Sequence, residues 1–180
     1  MKLSHNTTVD DYQSMERSKD KVGISKFILE RFTERYITPV RSAGTNKHGF
    51  CTMAVSCLMV ETLESFWQGE VDTKGKSKKM FAHFFARVSE FAPFQPHAEA
   101  FYENVRCGIL HQAETRKGWR ILRSGPLFDE VATAINATKF HNAVARALRE
   151  YCKGLRTADW DSSTWEHLVT KMAAICTNSK

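Results

Sequence analysis

Arg106, Cys107 and His111 fall within one short stretch, Arg106–Cys107–Gly108–Ile109–Leu110–His111, and offer more chemistry than any other part of this sequence. Cys107 and His111 stand four residues apart, so on a helix they share a face and could ligate a metal. Two ligands are too few for a zinc site, and no other Cys/His cluster has ligand spacing, so neither a metal nor another cofactor is expected. A nucleophilic Cys107 needs an electropositive setting, without which a helical thiol is inert. Arg106 in its plainest reading forms a surface salt bridge with Glu99 or Glu103. His111 in its plainest reading is a histidine favoured near a helix C-terminus by the dipole.

Other residues around this stretch point to a polyanionic partner. Arg116, Lys117, Trp119 and Arg120 mix cations with an aromatic ring, so Trp119 could stack on a base or could instead close the core. Lys139, Arg146, Arg149 and Lys153 form a basic stripe, either a solvated face or a track for an RNA backbone. Lys74, Lys76, Lys78 and Lys79 surround Gly75 and carry the same two readings. A net charge of +6 and a pI near 9.1 favour a phosphate-rich partner, because each cation brought to a phosphate releases a counterion.

The elements that must position these residues read as helices. Ile24, Ile28, Phe32 and Tyr36 recur every four residues and predict an amphipathic helix over about 21–39, followed by a small polar loop over 41–49. A second helix, about 50–68, is apolar around much of its circumference and should be central. Phe81, Phe84, Phe85 and Val88 predict a third helix over about 77–91, with a break at Pro93–Phe94–Gln95–Pro96. The fourth, about 96–111, carries the Arg106–His111 stretch. A short β excursion is expected near 119–128, then a fifth helix at about 137–155 and a sixth at about 163–177, the last opened by a Ser163/Glu166 capping box. The fold class is therefore all-α, an up-down bundle of about five to six helices. Residues 1–20 show no periodicity and are expected to form a flexible tail before a single domain over 21–180.

On an ideal wheel Phe101, Tyr102, Val105 and Ile109 occupy one sector of roughly 100° and should face the core. Arg106 flanks that sector, and His111 lies about 140° round from it. Three arrangements could bring them together: a helix loosened at Gly108, a helix that ends near His111, or a twofold partner that sets two Arg/His pairs opposite each other.

Arg106-x4-His111, late in a long helix of a basic helical chain of this size, resembles the R-x4–6-H motif of the HEPN superfamily. Phe101 through His111 is similar to that family's active-site helix. The resemblance implies a twofold dimer whose motifs line one cleft and which cleaves RNA without a metal, as in toxin–antitoxin and phage-defence systems, with an antitoxin as a further partner. It implies that His111 moves a proton at the ribose 2′-hydroxyl or the leaving oxygen, a role for which imidazole is the commonest side chain. It implies that Arg106 holds the scissile phosphate and stabilises transition-state charge. Active members commonly carry Asn, Asp or His directly after the motif arginine. Cys107 stands there in this chain, with Glu103 and Asn104 as nearby supporting groups. The family also contains non-catalytic modules that bind RNA or protein.

Five scattered cysteines without a CxxC pair suit a reducing compartment. The first 20 residues lack a signal-peptide pattern, and no uninterrupted apolar run of membrane-spanning length occurs. The expectation is a cytoplasmic protein with no membrane partner.

Overall fold

A computed structural model describes residues 1–42 and 48–179 of the chain. In chain order it forms α1 (Val9–Arg17), α2 (Lys21–Phe32), a π-helical turn (Thr33–Ile37), α3 (Thr38–Ser42), α4 (Gly49–Gln68) and α5 (Ser77–Arg87). A 3-10 segment (Ser89–His97) leads into α6 (Ala98–Phe101), a second π-helical turn (Tyr102–Arg106) and α7 (Cys107–Gln112). Three short strands follow, β1 (Arg120–Leu122), β2 (Phe128–Asp129) and β3 (Ala134–Asn136), then α8 (Ala137–Thr157) and α9 (Ser163–Asn178). The protein is mostly helical, as its periodicity predicts. Residues 43–47 of the expected polar loop lie outside the described residues.

α4 is the axis of the fold, packed by α5, α8 and α9, while α2 lies against α8. By length and composition α4 could cross a membrane, but 61% of its apolar window is buried inside the fold, so it reads as a core helix. Its buried face carries Met53, Met59, Val60, Leu63 and Phe66, all 1% exposed or less. Two acids share that burial, and each is matched. Glu64, fully buried, accepts a two-pronged contact from Arg87 (Nε 3.2 Å, Nη2 3.0 Å) and a bond from Gln68. Burial of such a carboxylate is tolerable only with this kind of pairing.

The site helix is anchored by aromatic rings. Phe101 is fully buried among Phe81, Phe85, Phe94, Trp119 and Phe140, and lies parallel to the last at 5.5 Å. Pro93 and Pro96 break α-helical continuity, but the chain stays wound as a 3-10 segment and drives Phe91 and Phe94 into this cluster. α5 accordingly stops at Arg87, short of the expected 91.

The β excursion is a small sheet of order β1-β3-β2, reaching beyond the expected 128 to Asn136. β1 pairs with β3 in parallel, through Ile121 and Ile135, and β2 pairs with β3 antiparallel. It closes the core beside the site helix.

Two expectations need correction. Residues 1–20 are not a tail, for Leu3 and Tyr12 are each 1% exposed and α1 is opened by a Thr8/Asp11 capping box. Arg31 and Arg35 further tie this segment down by donating to the Leu3 carbonyl. At α9 the cap is Ser162 rather than Ser163, and its hydroxyl donates to the Asp159 carbonyl instead of closing a capping box.

His141 on α8 is 2% exposed, with Nδ1 3.0 Å from Ser56 Oγ and Nε2 without a hydrogen-bond partner among the described residues. Burial, helped by the charge of Arg41, lowers its pKa to about 4. The unfolded chain, with an ordinary value of about 6.5, therefore takes up the proton first as pH falls. Stability is complete above about pH 6.5 and is lost towards pH 4, about 2 kcal/mol of it between pH 7 and 5. Urea unfolding of the parent and of His141→Gln at those two pH values checks this, since the variant should lack that part of the pH dependence.

Candidate functional site

The site is built where the helix carrying Arg106 crosses α4. Between α6 and α7 the chain widens into a π-helical turn, in which the Cys107 N–H donates to the Tyr102 carbonyl. Such turns disturb the regular i→i−4 ladder and are common at functional positions. Here the Asn104 carbonyl receives the Arg116 N–H at 2.9 Å, which docks the segment after α7 against the turn. Asn104 is 5% exposed and its amide donates to the Ala100 carbonyl, so it is a structural residue of the turn.

Gly108 has a specific reason to be glycine. A Cβ there would stand 2.5 Å from the Glu114 carbonyl oxygen and 3.2 Å from the Thr115 Cα, both backbone atoms of the returning segment. Close backbone packing thus accounts for this glycine, and helix loosening is not needed to explain it. Gly108→Ala should destabilise the fold by about 1–3 kcal/mol through overpacking. Hydrogen exchange should show the excess opening concentrated in 113–119, with other helices protected as in the parent.

α7 continues through Gln112 and ends on Ala113 in the left-handed region (φ 55°). His111 consequently remains in helical register, about 140° round from Arg106. Neither a helix end before His111 nor distortion at Gly108 brings the two side chains together within one chain.

Arg106 turns towards α4. Its Nη2 donates to Glu61 Oε2 at 3.3 Å, and its guanidinium lies 5.5 Å from the Tyr102 ring centroid. Burial opposes its charge, but Glu61 and Tyr102 outweigh this and hold its pKa above the ordinary value. Glu61 is 9% exposed, and its other oxygen accepts bonds of 2.6 Å from the Thr73 and Ser77 hydroxyls. The simple expectation of a partner in Glu99 or Glu103 is therefore corrected. Both of those acids face Lys78, and Glu103 is an exposed surface charge rather than a support for Arg106.

Arg106 borders two hollows. One, of about 180 Å³, is apolar and lined by Ala54, Cys57, Leu58, Ile109 and Leu110. The other, of about 370 Å³, is mixed, with the apolar Leu58 and Val71 beside Glu61, Asp72, Thr73 and Lys171 among its walls. Leu58 and Leu110 are 50% and 57% exposed, so apolar surface lies beside the arginine. Burial pushes the Cys57 thiol up to about 12, which keeps it protonated and unreactive. Cys107 is half-buried, and the pKa of the Tyr102 phenol is raised by burial and by the neighbouring Cys107 thiol.

His111 is exposed, and no hydrogen bond or ion pair holds its ring within the described residues. Its two nitrogens are available to an outside group. No cluster of three or more metal-binding side chains occurs among the described residues.

The expected RNA contacts divide. Trp119 is 6% exposed, stacked on Phe128 at 5.6 Å and edge-on to Phe101 at 6.0 Å, so it closes the core and offers no face to a base. Arg120 is exposed but donates to the Ala132 carbonyl. Lys117 is exposed and Arg116 half-buried. On α8, Arg146 makes a two-pronged contact with Glu90, and Lys153 lies 3.9 Å from Glu150, which favours a solvated face. Lys76 and Lys78 are likewise matched by Glu70 and by Glu99 with Glu103. Sequence reasoning missed Glu61 and Lys171. A charged residue inside the apolar pattern of 50–68 was the available signal for Glu61; Lys171 had none.

No protein-family model, curated protein or solved structure matches the chain. Function must be argued from the site.

Proposed function

We propose that this chain is a HEPN-like endoribonuclease that works as a dimer without a metal, with Arg106 and His111 as its catalytic residues. The observation that carries the reading is the pairing of an uncommitted, exposed imidazole with a cleft-lining arginine on one helical segment. In a second copy, His111 can face the Arg106 cleft of the first, which overcomes their separation of about 140°. The exposed Leu58 and Leu110 supply apolar surface beside Arg106 for that contact. Arg106 holds a phosphate oxygen through the guanidinium donors that Glu61 leaves unused. In each of the two centres one His111 takes the 2′-hydroxyl proton and water protonates the leaving 5′-oxygen, giving a 2′,3′-cyclic phosphate. A role in a toxin–antitoxin or phage-defence system, with an antitoxin partner and a cytoplasmic setting, belongs to the same proposal.

The test is degradation of single-stranded RNA by the purified chain in EDTA. Because His111 is exposed and makes no hydrogen bond or ion pair among the described residues, His111→Ala should fold as the parent does and lose at least about 100-fold in cleavage rate. Unchanged cleavage by that variant would remove His111 from the mechanism. A second reading, a non-catalytic RNA-binding module, is favoured by the tie between Arg106 and Glu61. It predicts RNA bound but left intact by the parent.

A further inference from the structure

We infer that Lys171 is the second cation of the Arg106 cleft, and that the two together seat a phosphate group. This rests on the cleft described above and names a residue and a ligand chemistry for it. Lys171, on α9, and Arg106, on the π-helical turn, line the same 370 Å³ hollow from different elements. Lys171 is only 8% exposed. Its Nζ donates to the Val71 carbonyl at 3.0 Å, and among the described residues no carboxylate lies within 4 Å of it.

An ammonium group carries three donors and a full charge, and a carbonyl satisfies one donor while neutralising nothing. Of the acids lining the cleft, Glu61 is paired with a cation, while Asp72 accepts only a backbone N–H. Glu61 accepts from Arg106, Thr73 and Ser77, and Asp72 Oδ1 accepts the Lys74 N–H at 3.0 Å. Asp72 and Glu70 favour the Lys171 charge from beyond ion-pair distance, but burial prevails and holds its pKa below the usual lysine value. Sequestering a charge without a matching partner is costly, and an incoming anion would supply the match. A phosphate oxygen facing Nζ matches the Lys171 charge, and another takes the donors that Glu61 leaves free on Arg106, through the charge-assisted bonds that suit this anion.

The experiment uses the full chain with inorganic phosphate as the probe, against sodium chloride at equal ionic strength. Phosphate should raise the melting temperature of the parent saturably, as expected for a ligand bound only by the folded state. The half-saturating concentration should rise about tenfold or more in Lys171→Met and stay near the parent's in Lys171→Arg. Without phosphate, Lys171→Met should melt no lower than the parent, because methionine fills the space and removes the unmatched charge. The inference is overturned if phosphate acts no better than chloride, or stabilises Lys171→Met as well as it does the parent. RNA assays separate this result from the ribonuclease reading. Lys171-dependent phosphate binding with RNA neither bound nor cut leaves this inference standing and removes that reading. RNA cut by Lys171→Met at the parent's KM does the reverse.

Discussion

Replacing Phe101 with alanine is expected to lower the unfolding free energy by about 3–5 kcal/mol, the range for truncating a buried aromatic side chain. Phe101 is fully buried, and five aromatic rings lie within 6.0 Å of its own, centroid to centroid. Rings of this kind, fixed by one another in edge-on and parallel contacts, cannot easily collapse into the space left behind. The loss should exceed that of truncating an exposed residue such as Leu58, where about half of the surface is already in water. Because Phe101 ends α6 and leads directly into the turn carrying Arg106, the variant should also loosen the site. Urea unfolding gives the stability change, and an unchanged dependence on denaturant confirms that the native state and not the denatured ensemble is affected.

Arg106→Ala is expected to cost a similar amount, about 3–5 kcal/mol, for an electrostatic reason. It leaves the Glu61 carboxylate, 9% exposed, with two hydroxyl donors and no cation. Glu61→Gln combined with Arg106→Gln removes both charges, and the pair should cost less than the sum of its parts by about 1–3 kcal/mol. A double-mutant cycle by chemical denaturation measures that coupling. It also determines how activity data are read, since Arg106→Ala alone mixes lost chemistry with lost structure. The paired glutamine variant is the cleaner probe of the arginine.

The long helices were legible because their apolar residues repeat at helical spacing. Phe140, Val144, Leu148, Tyr151 and Leu155 fall on the buried face of α8, and Trp165, Leu168 and Met172 on that of α9. The unbroken apolarity of 50–68 likewise pointed to a central helix. α1 was not legible by the same rule, since its buried residues Val9 and Tyr12 are too few to set a period. Its signal was chemical instead, the capping pair Thr8 and Asp11. The two π-helical turns have no signature in a 3.6-residue period, so the exact surface on which Arg106 emerges could not be read from a wheel.

For the site, the sequence located Arg106 and His111 but not the partner of the arginine. Glu61 is distant in sequence and reaches it only because α4 packs against α7. Lys171 was passed over because a lysine in an amphipathic helix normally faces water, and only tertiary burial shows otherwise. Trp119 carried two readings that composition could not separate. The small sheet decides between them, by setting Phe128 flat against the indole ring.

The composite active centre is tested most directly by mixing two inactive chains. One carries His111→Ala, the other Glu61→Gln with Arg106→Gln, and each is assayed for RNA cleavage in EDTA alone and after co-refolding. If Arg106 of one copy works with His111 of the other, half of the dimers are mixed and each holds one intact centre. Cleavage should then return to about a quarter of the parent rate. A mixture as inactive as its components, with mixed dimers demonstrably formed, would contradict the account.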